Sequence, residues 1–199
     1  QEASQEIYNQ HSFIDGLINN AANNPSVNAN GTNFSRLENF SLEQWHKDIN
    51  VGLTGSFLCS KHFGHSISKN PNGGVIVNIS SDLGLIAPDQ SLYARHGVPD
   101  DKQDVKPITY SVVKTGIIGL TRYLSTYWAD KGVRCNALCP GGVENGQPEN
   151  FIVNVSKKIP LGRLAQPNEY QGVLVWMLSD ASSYLNGAII PVDGGRTAW

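Results

Sequence analysis

The amino-acid sequence predicts an α/β fold built on a parallel sheet. Apolar, strand-like runs alternate with longer helical patterns along the chain, and the run VIVNIS (75–80) is almost continuously apolar and rich in β-branched residues. Such a run is typical of a parallel strand that helices cover on both faces. No internal repeat, linker or low-complexity tract interrupts the alternation, so residues 1–199 are predicted to form a single domain.

The bounds of each predicted element come from its apolar periodicity and from the turn residues beside it. Ser41 is placed to cap the first long helix, Gly132 to end the second, and Pro167 lies near the start of the third. The stretch 83–107 is polar and irregular, which indicates a long loop. Strands are predicted over 13–22, 75–80, 133–140 and 187–195, and helices over 41–69, 108–132 and 167–180.

Composition excludes several classes of partner. The formal net charge is −2 and 16% of the residues are charged, which gives no field for nucleic acid or for an anionic membrane surface. No apolar stretch approaches the roughly 20 residues of a membrane span, and the opening QEASQEIYNQ resembles no signal peptide. The odd count of 3 cysteines favours reduced thiols. A cytoplasmic protein with no nucleic-acid or membrane partner is predicted.

The strongest local signal for chemistry is the motif Tyr110-Ser-Val-Val-Lys114. Residues four apart on a helix lie one turn apart on the same face. A lysine ammonium in that position favours the ionised form of the tyrosine and so brings its pKa, normally about 10, nearer the working pH of an acid/base group. The motif alone is weak, since such a pair more often makes a surface contact.

Small and polar residues follow three of the predicted strands. They are Asn19-Asn20-Ala21-Ala22, Ser80-Ser81 and Pro140-Gly141-Gly142-Val143. Open α/β sheets bind their ligands beyond the carboxyl ends of the strands, so a hydroxyl at this edge can contact a substrate oxygen. Taken singly, the Asn-Asn-Ala-Ala and Ser-Ser segments are better explained as an ordinary loop and turn, and the Pro-Gly-Gly-Val segment can be a simple turn.

The ordered series of these motifs resembles the short-chain dehydrogenase/reductase family. The series runs strand–NNAA, helix–Asn50, strand–Ser80-Ser81, helix–Tyr110-x-x-x-Lys114, strand–Pro140-Gly141 and strand–Asp-Gly-Gly, and it extends from about Ile14 to the C-terminus. The resemblance implies a Rossmann-like, doubly wound parallel sheet. It also implies an oxidoreductase that uses NAD or NADP to transfer a hydride to or from an alcohol/carbonyl substrate.

The resemblance assigns a role to each catalytic candidate. Tyr110 is the general acid/base, and Lys114 lowers the pKa of the tyrosine and bonds the nicotinamide ribose. Ser81 orients the substrate oxygen, and Asn50 holds a water for proton relay. The implied cofactor-binding residues are Asn20, Ala21, Ala22, Tyr110, Lys114, Pro140, Gly141, Val143 and Asn145. Asn145 stands where many members of the family carry a threonine.

One departure from the family pattern bears on the cofactor. The glycine-rich turn Thr-Gly-x-x-x-Gly-x-Gly, which places a pyrophosphate on a helix N-terminus, is not found in the sequence. The resemblance therefore predicts a sheet that lacks the N-terminal strands of the family, roughly sixty residues at ~30 per βαβ unit. The strand before Asn19 is then expected at the sheet edge. The alternative function is a catalytically silent fragment or pseudoenzyme that acts as an oligomeric interaction module.

Two further expectations concern the partners of the chain. The long loop carries polar residues that could contact a polar substrate such as a sugar or hydroxy acid, or could simply be solvated, and the sequence favours neither. The two long helices form the usual dimer surface of the family, which implies a homodimer or homotetramer. No metal site is predicted, because His62 and His65 have no third ligand near them in the sequence. The polar loop residues are Gln90, Tyr93, Arg95, His96, Lys102 and Lys106.

Overall fold

Four parallel strands form the sheet in the computed structural model, which describes residues 2–23 and 35–199. Their spatial order is β1-β2-β3-β4, so β1 lies at one edge, as expected for the strand before Asn19. The predicted α/β fold with a parallel sheet is confirmed. The strands are β1 (Gly16–Asn19), β2 (Gly74–Ile79), β3 (Val133–Pro140) and β4 (Ile189–Val192).

Both faces of the central strands β2 and β3 are buried, as their continuously apolar sequences predict, whereas β1 and β4 are partly exposed. Alternate residues of a strand point to opposite faces. In β2, Ile76 packs with Leu124 on one face, while Val75 and Val77 pack with Met177 on the other. Parallel strands covered on both sides in this way need no polar face.

Two long helices cover the first face. Helix α2 runs over 42–67 and begins at Ser41, whose side chain accepts a hydrogen bond from the backbone N–H of Gln44 at 3.1 Å. Helix α3 (Ile108–Tyr127) ends in a short 3₁₀ turn, and Gly132 follows with φ of +72°, a left-handed conformation that glycine adopts without strain. The predicted cap at Ser41 is confirmed. The α-helix predicted to continue to Gly132 ends at Tyr127, and Gly132 instead ends the 3₁₀ turn that follows it.

The three remaining helices are shorter. Helix α1 (Glu2–His11) precedes β1, and α5 (Gln171–Leu178) follows a 3₁₀ turn that begins at Pro167. Helix α4 (Glu149–Ser156) was not predicted, because its segment contains polar residues and follows directly after Pro148. In the described residues no helix is both long and apolar enough to cross a membrane.

Apolar spacing explains why α4 forms despite its polar residues. Phe151, Ile152 and Val155 lie on one face of the helix and pack against Leu92 and Leu164. These packed apolar residues explain the helix, which the sequence analysis did not predict. The packing also ties α4 to the long loop, since Leu92 belongs to the loop.

Amide side chains connect the strands inside the sheet. Asn78, which is fully buried, accepts a hydrogen bond from Asn19 Nδ2 at 2.7 Å and donates to Thr121 Oγ1 at 2.9 Å. Asn19 also donates to Ser60 Oγ at 3.0 Å. These bonds link β1, β2, α2 and α3 and satisfy polar groups that would otherwise destabilise the core.

The stretch 83–107 is not structureless. It contains the 3₁₀ turns Gln90–Tyr93 and Asp100–Lys102. The Gln103 side chain bonds the backbone of Arg95 and of Val98. The long loop is thus held together by its own side chains and can present residues at fixed positions.

Candidate active site

A cavity of about 690 Å³ lies beyond the carboxyl ends of β1, β2 and β3. This is the edge at which open α/β sheets bind ligands. All the predicted site residues except Asn50 and Ala21 line the cavity. The topology therefore brings together residues that are separated by more than a hundred positions in the sequence.

The tyrosine–lysine pair lies in the first turns of α3 and faces the end of β2. The Tyr110 hydroxyl is 3.4 Å from Ser81 Oγ. This separation is longer than the usual O–H···O distance of about 2.7–2.8 Å, so both hydroxyls can turn toward one substrate oxygen between them. Ser80 Oγ donates to the Lys114 carbonyl at 2.7 Å, which fixes α3 against the strand end.

The Lys114 side chain is buried and has a specific bond. Its Nζ donates to the Ile79 carbonyl at 2.9 Å and lies 5.8 Å from the centre of the Tyr110 ring. Burial lowers the pKa of Lys114, because a low-dielectric surrounding disfavours the ammonium.

The pKa of Tyr110 differs from the sequence-based expectation. Burial raises the pKa of Tyr110, the hydrogen bond with Ser81 lowers it, and the Asp82 carboxylate raises it further. The expected lowering by Lys114 is not found in this structure, because the ammonium is directed to the Ile79 carbonyl and burial of the phenol dominates. The phenol is accordingly protonated at neutral pH.

A buried ion pair supports the serine. Ser81 Oγ donates to Asp82 Oδ1 at 2.7 Å, and Asp82 Oδ2 accepts from Arg196 Nη1 at 2.8 Å. The side chains of Asp82 and Arg196 are only 4% and 10% exposed. Their pairing spans 114 positions of the chain, which is why sequence reasoning missed both residues.

A second lysine lies against the tyrosine. Lys106 Nζ is 3.8 Å from the centre of the Tyr110 ring, which is a cation–π distance. Burial lowers the pKa of Lys106 to about 8. Tyr93 lines the same cavity, and burial raises its pKa to about 12.

Of the polar residues in the long loop, Tyr93 and Lys106 line the cavity. Gln90 instead accepts a hydrogen bond from the Lys106 backbone N–H at 2.8 Å, and Arg95 pairs with the buried Asp104 at 3.0 Å. Only Tyr93 and Lys106 of this group therefore lie where a substrate could contact them. The remaining residues hold the loop or face solvent.

The loop after β3 forms the opposite wall of the cavity. The segment from Pro140 to Val143 passes close to its neighbours: a Cβ at Gly142 would lie 2.8 Å from Leu164. The Gln147 side chain accepts from the Asn145 backbone N–H at 2.7 Å and donates to the Val143 carbonyl at 2.7 Å. A glycine wall held in this manner permits the close approach of a flat ring.

Two predicted residues lie outside the cavity wall. Asn50 is exposed and belongs to the π-helical turn Asn50–Thr54 of α2. Ala21 is exposed, whereas Asn20 and Ala22 line the cavity, because neighbouring residues of this extended segment alternate in direction. The structure therefore does not place Asn50 or Ala21 at the wall of the cavity.

Comparison with known proteins agrees with this architecture. A family model described as enoyl-(acyl carrier protein) reductase matches residues 1–197. A cis-4-hydroxycyclohexanecarboxylate dehydrogenase from Sinomonas cyclohexanicum is 34% identical over 166 residues, which cover 81% of this chain and 60% of the relative. The chain therefore spans less than two thirds of that relative's length.

Two solved structures share the fold. A short-chain dehydrogenase from Leptospira borgpetersenii with bound NAD+ superposes with a TM-score of 0.85 at 31% identity, covering 98% of this chain and 70% of that chain. A gluconate 5-dehydrogenase from Burkholderia cenocepacia in complex with NADP and tartrate superposes with a TM-score of 0.83 at 25% identity. The match covers 100% of this chain and 70% of that chain.

The parallel sheet, the strand-end cavity and the tyrosine–lysine–serine cluster define an α/β protein of the oxidoreductase type. The family match over nearly the whole chain then identifies it: the chain belongs to the short-chain dehydrogenase/reductase family. The relatives named above are dehydrogenases, so the comparisons do not favour the alternative of a silent interaction module.

Proposed function

We propose that this chain provides the catalytic site of an NAD(P)-dependent oxidoreductase that interconverts an alcohol and a carbonyl compound. The observation that carries the proposal is the position of Tyr110, whose hydroxyl lies 3.4 Å from Ser81 Oγ at the wall of a cavity of about 690 Å³. Lys114, one helical turn further on, lines the same cavity. An acid/base group, an oxygen-orienting hydroxyl and a buried cation thus meet at one place.

The residues have separable tasks in this proposal. The Tyr110 phenol donates its proton to the carbonyl oxygen during reduction and accepts the hydroxyl proton during oxidation. Ser81 orients that oxygen, and to donate to a carbonyl it must turn its single hydroxyl proton away from Asp82, to which it donates at 2.7 Å in this structure. Because burial raises the pKa of Tyr110, the phenol carries its proton at neutral pH and is present in the donor form, although as a weaker acid than an exposed tyrosine.

The wall opposite the tyrosine fits the nicotinamide end of the cofactor. Asn20, Ala22 and Asn145 line the cavity, together with the segment 140–143, in which Gly141 and Gly142 carry no side chain between Pro140 and Val143. When bound, the nicotinamide supplies or accepts the hydride. Lys114 would hold the adjoining ribose, since its ammonium is a strong donor at the cavity wall.

We also propose that the substrate is a small polar molecule such as a hydroxy acid or a sugar. Its support is the polar lining that the long loop adds through Tyr93 and Lys106. Relatives that act on hydroxycyclohexanecarboxylate and gluconate by their names agree with this class.

Titration of the chain with NADH and NADPH tests the cofactor proposal. Energy transfer from tryptophan to the reduced nicotinamide reports binding, and saturation in the micromolar range is expected. Lys114→Met is expected to weaken binding about tenfold, because hydrogen bonds to charged groups contribute about 1.5–3 kcal/mol. The matched control Lys157→Met changes an exposed lysine that does not line the cavity and should leave binding unchanged. Absence of binding up to millimolar cofactor would contradict the proposal.

A further inference from the structure

We propose that Lys106 and Arg196 form a subsite for an anionic group of the substrate, a carboxylate or a phosphate, beside the reacting oxygen. The inference rests on the proposed function, since it places the anion next to the Tyr110 hydroxyl. It narrows the substrate class to polar alcohols or carbonyl compounds that carry a negative charge.

The position of Lys106 is the first argument. Its Nζ lies 3.8 Å from the centre of the Tyr110 ring and lines the cavity. The Lys106 backbone N–H is bonded to Gln90 Oε1 at 2.8 Å, and Pro107 then begins α3. Hydrogen bonding and the fixed proline dihedral therefore hold the base of this side chain.

The balance of charge at the cavity wall is the second argument. The charged residues that line it are Lys106, Lys114, Arg196 and Asp82, three cations and one carboxylate. Asp82 already accepts bonds from Ser81, from the Leu83 N–H and from Arg196. The charged side chains of the cavity wall therefore carry an excess of positive charge, which attracts an anionic ligand.

The protonation of Lys106 supports the same conclusion. Burial lowers the pKa of Lys106 to about 8, the Asp82 carboxylate raises it and the Lys114 ammonium lowers it. The lysine is still mostly protonated at pH 7. An anion nearby would favour the ammonium further, because opposite charges stabilise each other in a low-dielectric site.

The guanidinium of Arg196 has a position and a shape that suit an anionic group. Its guanidinium lies at the cavity wall, only 10% exposed, and is held by the 2.8 Å bond from Nη1 to Asp82. A planar fork of donors fits carboxylate and phosphate oxygens better than it fits a neutral hydroxyl.

Binding of matched acid and neutral ligands tests the subsite. Calorimetry on the 199-residue chain would compare cis-4-hydroxycyclohexanecarboxylate with its carboxamide, D-gluconate with D-gluconamide, and glucose 6-phosphate with glucose. At least one anion is expected to bind about tenfold more tightly than its neutral partner, equivalent to about 1.4 kcal/mol. The pair that shows the difference identifies carboxylate or phosphate as the recognised group.

Two variants test whether the preference for the anionic ligand depends on Lys106. Lys106→Met is expected to remove the tenfold preference, because it weakens binding of the acid about tenfold more than binding of its neutral partner. Lys102→Met, in the same loop but outside the cavity, should retain the preference. Equal binding of acids and neutral partners by the unaltered chain, or a preference that survives Lys106→Met, would overturn the subsite.

The cofactor titration separates this inference from the proposed function. Saturable NADH or NADPH binding without any acid preference would overturn the subsite alone. A Lys106-dependent acid preference without cofactor binding would leave the subsite standing and overturn the oxidoreductase proposal for this chain.

Discussion

Two concave surfaces of the molecule differ in the chemistry they present. The strand-end cavity carries buried charges and a tyrosine within reach of a serine. The second surface, here called the outer groove, has a volume of about 490 Å³ and lies between the outer faces of α2 and α3. Its apolar lining is formed by Phe57, Leu120, Tyr123, Tyr127 and Trp128.

The difference indicates two kinds of occupant. Buried charges with specific partners are costly to fold around and are typical of ligand sites. Large exposed aromatic side chains are typical of protein interfaces, and Tyr123 and Tyr127 are 62% and 57% exposed. The homodimer or homotetramer predicted from the sequence stays a prediction, and the outer groove between α2 and α3 is the surface on which it can be tested.

The largest effect is expected at the centre of the cavity. Tyr110→Phe removes the proton donor and keeps the ring, so kcat is expected to fall about 10²–10⁴-fold, the usual contribution of general acid/base catalysis. Steady-state kinetics with an alcohol or carbonyl substrate of the chain checks this, and the dissociation constant of NADH should change little.

Tyr93→Phe is the matched control for that variant. It removes the other tyrosine hydroxyl of the cavity wall, and no lysine lies one turn beyond Tyr93. Its kcat is expected within a few-fold of the unaltered chain. Equal losses in the two variants would show that cavity shape, rather than a particular phenol, limits turnover.

The next effect concerns the stability of the cavity's ion pair. Asp82→Asn leaves the Arg196 guanidinium without its carboxylate at a site only 10% exposed. Removing one partner of a buried ion pair lowers the free energy of unfolding by about 3–5 kcal/mol, because the other charge is left uncompensated. Urea unfolding is therefore expected to show a loss of about 3 kcal/mol in the free energy of unfolding.

The double variant Asp82→Asn/Arg196→Met provides the control. Removing both charges removes the uncompensated guanidinium, so the double variant should be more stable than Asp82→Asn alone. A double variant whose loss equals the sum of the two single losses would mean that the pair is not energetically coupled.

A smaller effect is expected at the outer groove. Tyr127→Glu places a carboxylate in the apolar surface and should weaken self-association about tenfold or more without unfolding the chain. Light scattering over a concentration series measures the change. Tyr184→Glu alters a fully exposed tyrosine outside the outer groove and should leave assembly unchanged. A monomeric unaltered chain at all concentrations would contradict the assignment.

The strand-end cavity also shows what the sequence could predict. Short-range signals were sufficient for the helix cap at Ser41, the turn at Gly132 and the strand Val133–Pro140, because each depends on neighbouring residues. The order of the motifs was sufficient to identify the family and, except for Asn50 and Ala21, to name residues that line the cavity. The single-domain organisation and the cytoplasmic location stay predictions.

Long-range pairing was beyond sequence reasoning. The Asp82–Arg196 ion pair joins residues 114 positions apart, and nothing in the local pattern of either residue indicates the other. Lys106 was grouped with loop residues that face solvent, and only the fold of the loop places it over Tyr110. Helix Glu149–Ser156 was missed because its stability comes from packing against the same loop.

The smallest expected effect distinguishes a binding lysine from a structural one. Burial lowers the pKa of Lys106 from about 10.5 to about 8. Below pH 8 the lysine is protonated in both the folded and the unfolded chain, and the folded chain bears the burial penalty. Between pH 8 and 10.5 the folded chain loses the proton first, so its stability rises with pH through this window.

Lys106→Met removes both the penalty and its dependence on pH, at the loss of the cation–π contact with Tyr110. The variant is therefore expected to melt a few degrees higher than the unaltered chain at pH 7, at about 2–4 °C per kcal/mol. This difference should shrink as the pH approaches 10.5. Calorimetric melting of both proteins at pH 7 and pH 10 measures it, with Lys102→Met as the exposed control. A lower melting temperature for Lys106→Met at pH 7 would show that Lys106 stabilises the fold. The presence of a charge at this position would then be explained by stability alone, without a ligand.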